Sequence, residues 1–116
     1  MRVDLNLAQA LKLWQKVSLA QVLDEAPDLT LRQLTILLTI YLEPPPHTVR
    51  GLSAKLNVTK PVITRALDSM GRLGFVKRKR DERDLRNVII QRTVEGSLYL
   101  EKLADLISQQ AQDLPR

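Results

Sequence analysis

Thr48-Val49-Arg50-Gly51-Leu52-Ser53-Ala54-Lys55-Leu56, followed at once by Asn57-Val58-Thr59-Lys60-Pro61-Val62-Ile63-Thr64-Arg65-Ala66-Leu67, is the stretch that decides the fold. Thr48 can cap a short helix, Val49 to Leu56, in which Leu52 and Leu56 lie one turn apart. Asn57-Val58-Thr59 is a brief turn, and Thr59 caps a second helix with Pro61 in its first turn, where a missing N–H costs nothing. Two short helices joined this way are the minimal helix-turn-helix pattern. The second of them divides into two faces. Val62, Ile63, Ala66, Leu67, Met70 and Leu73 lie on one side, and Pro61, Thr64, Arg65, Asp68 and Arg72 on the other. Gly74 ends it.

Downstream, Phe75 to Arg80 and Asn87 to Arg92 read as two strands joined by the charged tip Asp81-Glu82-Arg83-Asp84-Leu85-Arg86, a β-hairpin with a basic end. Thr93 then caps a last helix from Val94 to about Gln112, with a stripe of Leu100, Leu103, Ile107, Ala111 and Leu114. Upstream, Thr30-Leu31-Arg32-Gln33 has the form of a capping box opening a helix to Leu42, which Pro44-Pro45-Pro46 stops. Before it, Leu5 to Leu23 reads as a long amphipathic helix with Asp4 as its N-cap and Leu7, Ala10, Leu11, Trp14, Val17 and Ala20 on one stripe. Both outer helices carry more apolar residues than one small core covers, which predicts a partner helix. The fold class is therefore mainly α with a β-hairpin wing, in the order four helices, two strands, one helix.

At 116 residues, 44% hydrophobic and 27% charged, the chain predicts one globular unit over 1–116, with outer helices over 4–24 and 94–112 flanking a helix-turn-helix and wing over 30–92. The absence of cysteine excludes disulfides, thiol nucleophiles and Cys-ligated zinc and suits a reducing cytosol. No secretion leader is read at the N-terminus, because Asp4, Asn6, Gln9 and Lys12 interrupt its apolar residues, and no stretch approaches a membrane span. One histidine, His47, leaves few candidates for a general base, so an enzyme is disfavoured and neither metal nor cofactor is expected. Beside three prolines, His47 reads as a loop residue.

The net charge of +5 is concentrated. From Lys60 to Arg92 ten bases face four acids, a balance of +6, while the remainder carries eight bases and nine acids. Phosphate binding favours such a local positive field, although a solvated basic face has the same arithmetic.

The residues from Leu29 to Gly96, 68 of the 116, resemble the MarR family of bacterial transcription regulators. The matching pieces are Leu29-Thr30 with Gln33; Leu52 to Leu56, Val58-Thr59 and Val62 to Arg65; Leu67 with Met70; Gly74-Phe75-Val76 and Arg78; Asp84-Leu85-Arg86; and Thr93-Val94-Glu95-Gly96. In two places the chain departs from the pattern. Arg92 stands where an apolar residue commonly precedes the threonine, and Gly51 weakens the third helix. The chain after Gly96 leaves room for one terminal helix where the family commonly has two, so a trimmed relative whose core needs two copies is expected.

The resemblance implies a homodimer whose terminal helices interlock on double-stranded DNA, with Leu7, Leu11, Trp14, Leu100, Leu103 and Ile107 as interface candidates. With the fourth helix in the major groove, Arg65 and Lys60 are assigned to guanine edges or nearby phosphates, and Thr64 to a thymine methyl or a phosphate. Thr59 meets a phosphate while capping, and Pro61 leads the same face. Asp68 either accepts from a cytosine amino group or, the favoured of the two, pairs with Arg72 one turn on. Arg72 contacts a phosphate or is simply a solvated cation at the helix end.

At the wing, Arg86 is assigned to the minor groove, oriented by Asp84 as the family motif implies, with Arg83 beside it. Lys77, Lys79 and Arg83 meet phosphates. The runner-up function is a winged-helix protein-interaction module or anti-repressor, and RNA or non-specific chromosome binding is third. Nothing in the sequence identifies an effector pocket or a ligand for one.

Overall fold

The computed structural model describes residues 4–115, so Met1, Arg2 and Val3, where the leader reading begins, lie outside it. Eight elements follow in chain order: α1 (Leu7–Leu23), α2 (Leu31–Leu42), β1 (His47–Thr48), α3 (Val49–Leu56), α4 (Lys60–Arg72), β2 (Val76–Arg80), β3 (Val88–Arg92) and α5 (Val94–Gln112). Composition predicts one unit; the packing within the chain sorts into two, residues 29–100 and residues 4–28 with 101–115.

In the unit over 29–100, local chemistry starts each helix. Thr30 accepts from the Gln33 amide N–H at 3.1 Å and the Gln33 side chain accepts from the Thr30 N–H at 2.8 Å, closing the capping box of α2. The Thr48 hydroxyl accepts from Gly51 N–H at 2.9 Å and caps α3. Asn57, left-handed at φ 55°, closes α3. Gly74, at φ 80°, closes α4 in a Schellman arrangement, with Phe75 N–H donating to Met70 O and Gly74 N–H to Gly71 O, both at 3.0 Å. At Thr59 the expected side-chain cap is absent. Its carbonyl instead accepts the Val62 N–H at 3.1 Å and the Ile63 N–H at 3.4 Å, and the hydroxyl makes no capping bond.

The apolar faces of these helices meet in one core of Ile36, Leu37, Ile40, Leu52, Ile63, Ala66, Leu67, Met70, Phe75, Val76 and Ile90. The sheet is antiparallel in the order β1-β3-β2, and the hairpin register Val76↔Arg92 to Arg80↔Val88 matches the sequence reading to within a residue at each end. β1 is an addition: His47 pairs with Ile90 and Thr48 with Ile89. His47 is thus a strand residue, 8% exposed, and the loop assignment is corrected. Its Nε2–H donates to the Glu43 carbonyl at 3.1 Å.

The same carbonyl accepts from Arg92 at 3.2 Å, and Arg92 Nε donates to the Ile40 carbonyl at 2.9 Å while the guanidinium lies 5.8 Å from the Tyr41 ring centre. Two cations or donors therefore satisfy carbonyls that α2 leaves open at its C-terminus. That accounts for Arg92 at a position where the family commonly has an apolar residue.

Tyr41 ties α2 to both ends of the wing. Its hydroxyl accepts from the Thr93 N–H at 2.9 Å and lies within donating distance of the Phe75 and Thr93 carbonyls, at 2.9 and 3.1 Å. Thr93 in turn donates its hydroxyl to Gly74 O at 2.6 Å and accepts the Gly96 N–H at 3.0 Å, capping α5 as expected. Removing the hydroxyl leaves a part-buried N–H and a carbonyl without their partner, so Tyr41→Phe is expected to destabilise the chain by about 1–3 kcal/mol, read from urea unfolding. An unchanged midpoint would mean that water replaces the hydroxyl.

In the other unit α1 begins two residues later than Asp4 predicts. Asn6 is the cap, accepting from Gln9 N–H at 2.8 Å, and the Gln9 side chain accepts from Asn6 N–H at 3.0 Å, a second, reciprocal capping box that sets the helix start in place of Asp4. The Gln9 amide also donates to the Pro115 carbonyl at 2.9 Å, and Lys102 pairs with Asp24 at 2.9 Å. The Lys102 ammonium, helped by the Ala26 N–H, holds the Asp24 carboxyl below the usual carboxylate range. Val17, Leu103 and Leu114 are buried here.

On the α1 stripe the interface candidates Leu7, Leu11 and Trp14 are 79%, 63% and 57% exposed. Within the chain only Val17 of that stripe is buried, with Ala20 half-buried.

Candidate nucleic-acid interface

Burial of Ile63, Ala66, Leu67 and Met70 fixes the rotation of α4 and turns Lys60, Pro61, Thr64, Arg65 and Arg72 outward. Thr59, whose hydroxyl is not spent on capping, is exposed at the head of the same helix. Arg65 also lines a cleft of about 220 Å³ with Thr30, Arg32, Gln33 and Ser69, so two guanidinium groups flank the start of α2. Arg32 lay outside the basic tract counted from Lys60, and the sequence reading missed it.

Asp68 is where the structure corrects the sequence. It pairs neither with Arg72 nor with open solvent: its carboxylate accepts from Arg78 of β2 at 2.7 Å, while Arg72 reaches only Ser69 Oγ at 3.4 Å. Helical spacing favours a partner one turn away, but β2 runs past this face of α4 and brings Arg78 closer. At 42% and 36% side-chain exposure the pair contributes about 0–1 kcal/mol. Its consequence is geometric, because it spans from the helix to the first strand of the wing. Arg72 and Arg78 with Asp68, Gly71 and Val76 line the cleft between them, about 430 Å³.

At the wing tip, the expected clamp is present. Arg86 Nε donates to Asp84 Oδ1 at 3.0 Å, its terminal nitrogen to Oδ2 at 3.2 Å, and its backbone N–H to Oδ1 at 3.1 Å. These bonds, side chain first, hold the Asp84 carboxyl below the usual carboxylate range, and the charge of Arg50 adds to them. The Arg86 side chain remains 84% exposed despite the clamp, so its other donors face outward. Arg50, on the first turn of α3, is a second cation that the tract from Lys60 did not include.

The backbone of the tip is closed by Asn87 N–H to Asp84 O at 2.9 Å, Asp81 N–H to Asn87 O at 3.0 Å and Arg80 to Leu85 O at 2.8 Å. Lys77 and Lys79 are exposed along β2, Lys79 at 4.0 Å from Glu82, and Arg83 is exposed at the tip. Of the basic tract, only Arg92 is turned away, onto α2.

Elsewhere the chemistry is sparse. A cavity of about 160 Å³ lies between the end of α2 and α3, lined by Glu43, His47 and Lys55, with Lys55 paired with Glu43 at 2.9 Å. Among the described residues no three His, Asp or Glu side chains converge as metal ligands, and no helix is long and apolar enough to cross a membrane.

The sequence model of the MarR family matches residues 29–88. The chain belongs to the MarR family. Over 51 residues it is 43% identical to the HTH-type transcriptional repressor YetL of Bacillus subtilis, a match covering 44% of this chain and 30% of that protein.

Among solved structures it is similar to AbfR bound to DNA, at 27% identity and TM-score 0.65 over 86% of this chain and 68% of that one. It is also similar to a mutant MarR from E. coli complexed with operator DNA, at 25% and 0.68 over 90% and 69%. An S. aureus MepR mutant shares the fold at TM-score 0.74 and 20% identity, over 94% of this chain and 81% of that one. The mainly helical winged-helix fold read from the sequence is thereby shown, its order of helices and hairpin strands kept and β1 added between α2 and α3.

Proposed function

We propose that this MarR-family chain is a sequence-specific double-stranded DNA-binding transcriptional regulator, acting as a homodimeric repressor on a pseudo-palindromic operator. The observation that carries it is that one winged helix bears both the exposed side of α4, with Lys60, Thr64 and Arg65, and the exposed, Asp84-clamped Arg86. An α-helix fits the major groove, and a guanidinium fits the narrow, strongly negative minor groove beside it. Lys77, Lys79, Arg72 and Arg83 supply phosphate contacts, which set register without reading sequence. The proteins it resembles include two solved on DNA and one named as a repressor.

Dimerisation rests on Leu7, Leu11 and Trp14, three exposed residues at helical spacing on α1, joined by Ile107 at 40% exposure. Leu100 and Leu103, the other interface candidates, are occupied within the chain: Leu100 packs on the winged-helix core and Leu103 is buried. Two protomers would read half-sites about 10 bp apart, one helical turn. The site of action is the nucleoid in the cytoplasm, and no enzymatic step is involved.

Titrating labelled genomic fragments at several salt concentrations tests this. A dimer with six to ten phosphate contacts should lose roughly 10³–10⁵-fold in affinity between about 50 and 200 mM salt, and one fragment should be preferred throughout. Binding without a preferred fragment, or without a salt slope, defeats the proposal. A strict monomer in sedimentation would favour the protein-interaction module instead.

A further inference from the structure

One residue of the wing tip has no counterpart in a purely electrostatic account. Asp81-Glu82-Arg83-Asp84-Leu85-Arg86 is charged at every position but one, and at that one stands a leucine that is 62% exposed. The backbone on either side of Leu85 is pinned. Its own carbonyl accepts from Arg80 at 2.8 Å, and its neighbours Asp84 and Arg86 are locked together by three hydrogen bonds. Leu85 is thus presented outward from the tip that carries Arg86.

We infer that Leu85 is a specificity-determining residue that excludes the guanine 2-amino group from the minor-groove step beneath the wing. The inference rests on the DNA-binding reading above. In the minor groove A·T and T·A offer only acceptors, and the one donor that distinguishes G·C is the guanine amino. An isobutyl group laid against that edge displaces water and offers no acceptor. The neighbouring Asp84 carboxylate is turned onto Arg86, from which it already accepts three hydrogen bonds, rather than toward the groove edge that Leu85 would cover. The amino group is then buried without a partner, whereas the flat acceptor edge of an A·T pair leaves the deoxyribose walls free to pack on the leucine. Arginine alone prefers narrow grooves by their potential; Leu85 adds a rejection that depends on one hydrogen-bond donor.

The probe is a 30-bp duplex selected from a random-sequence library by the full-length chain, its outer A·T pairs replaced singly by G·C or by inosine·C, which lacks the 2-amino group. At the wing step G·C should weaken wild-type binding about tenfold or more, ~1.4 kcal/mol at tenfold, and inosine·C should restore it. Leu85→Asn, which brings an acceptor, should flatten or invert the G·C discrimination, and Leu85→Met should keep it. Equal losses with G·C and inosine·C, or discrimination that survives in Leu85→Asn, overturn the inference while DNA binding stands. Failure to select any duplex overturns the DNA-binding reading and this inference with it.

Discussion

Gly96→Ala is expected to cost about 3 kcal/mol or more, enough to unfold a marginal domain of this size or lower its thermal midpoint by well over 10 °C. Gly96 lies in the first turn of α5, where a Cβ would overlap the Tyr41 hydroxyl and the Phe75 carbonyl and press on the Tyr41 ring. Neither partner can step aside. Tyr41 is held by Thr93 N–H at 2.9 Å, and Phe75 O belongs to the backbone that enters β2, itself anchored by the bond from Phe75 N–H to Met70 O. The methyl must therefore displace α5 or break the Tyr41 junction. Thermal unfolding followed by circular dichroism measures this. The double variant Gly96→Ala with Tyr41→Phe should recover part of the loss, because removing the hydroxyl removes the atom closest to the methyl. A Gly96→Ala protein as stable as wild type would show that α5 tolerates a shift the packing argues against.

Arg65→Ala and Lys77→Ala should separate reading from positioning on DNA. Arg65 stands on the outward face of α4, in the middle of the stripe set by the burial of Ile63, Ala66 and Leu67. If its guanidinium grips a guanine edge, its removal costs about 1–3 kcal/mol on the preferred sequence and much less on an unrelated one, relaxing specificity. Lys77 is exposed on β2, and its loss should weaken every duplex about equally and reduce the salt slope by about one. Competition binding on the best genomic fragment and a scrambled duplex distinguishes the two. Equal effects on specificity would remove both assignments and leave the face as a uniform phosphate clamp.

Much of this was legible because it is local. A capping box is four residues in a row, and Thr30 with Gln33 forms as their spacing predicts. Gly74 marks the end of α4 because only a residue tolerant of positive φ closes a Schellman turn there without strain. The hydrogen bonds by which Asp84 clamps Arg86 span two residues and lie within the loop. Two misreadings, β1 and the partner of Asp68, share the opposite property. β1 is two residues long and has no periodicity of its own; it exists because β3 offers His47 and Thr48 a ladder some forty residues away.

Asp68 has a good helical partner in Arg72, yet Arg78 wins through the approach of a strand that spacing along a helix cannot reveal. Leu7, Leu11 and Trp14 show a stripe without showing what covers it, and in the chain by itself they stay exposed. From its sequence alone, then, this protein's five helices, the wing hairpin, the caps at Thr30, Thr48 and Thr93 and the basic face of α4 follow from interactions a few residues long. Only the tertiary structure decides which strand His47 pairs with, where Asp68 and Arg92 spend their hydrogen bonds, and why Gly96 must be glycine. Those choices are set by groups far apart in the chain, whose meeting depends on how every helix and strand has packed.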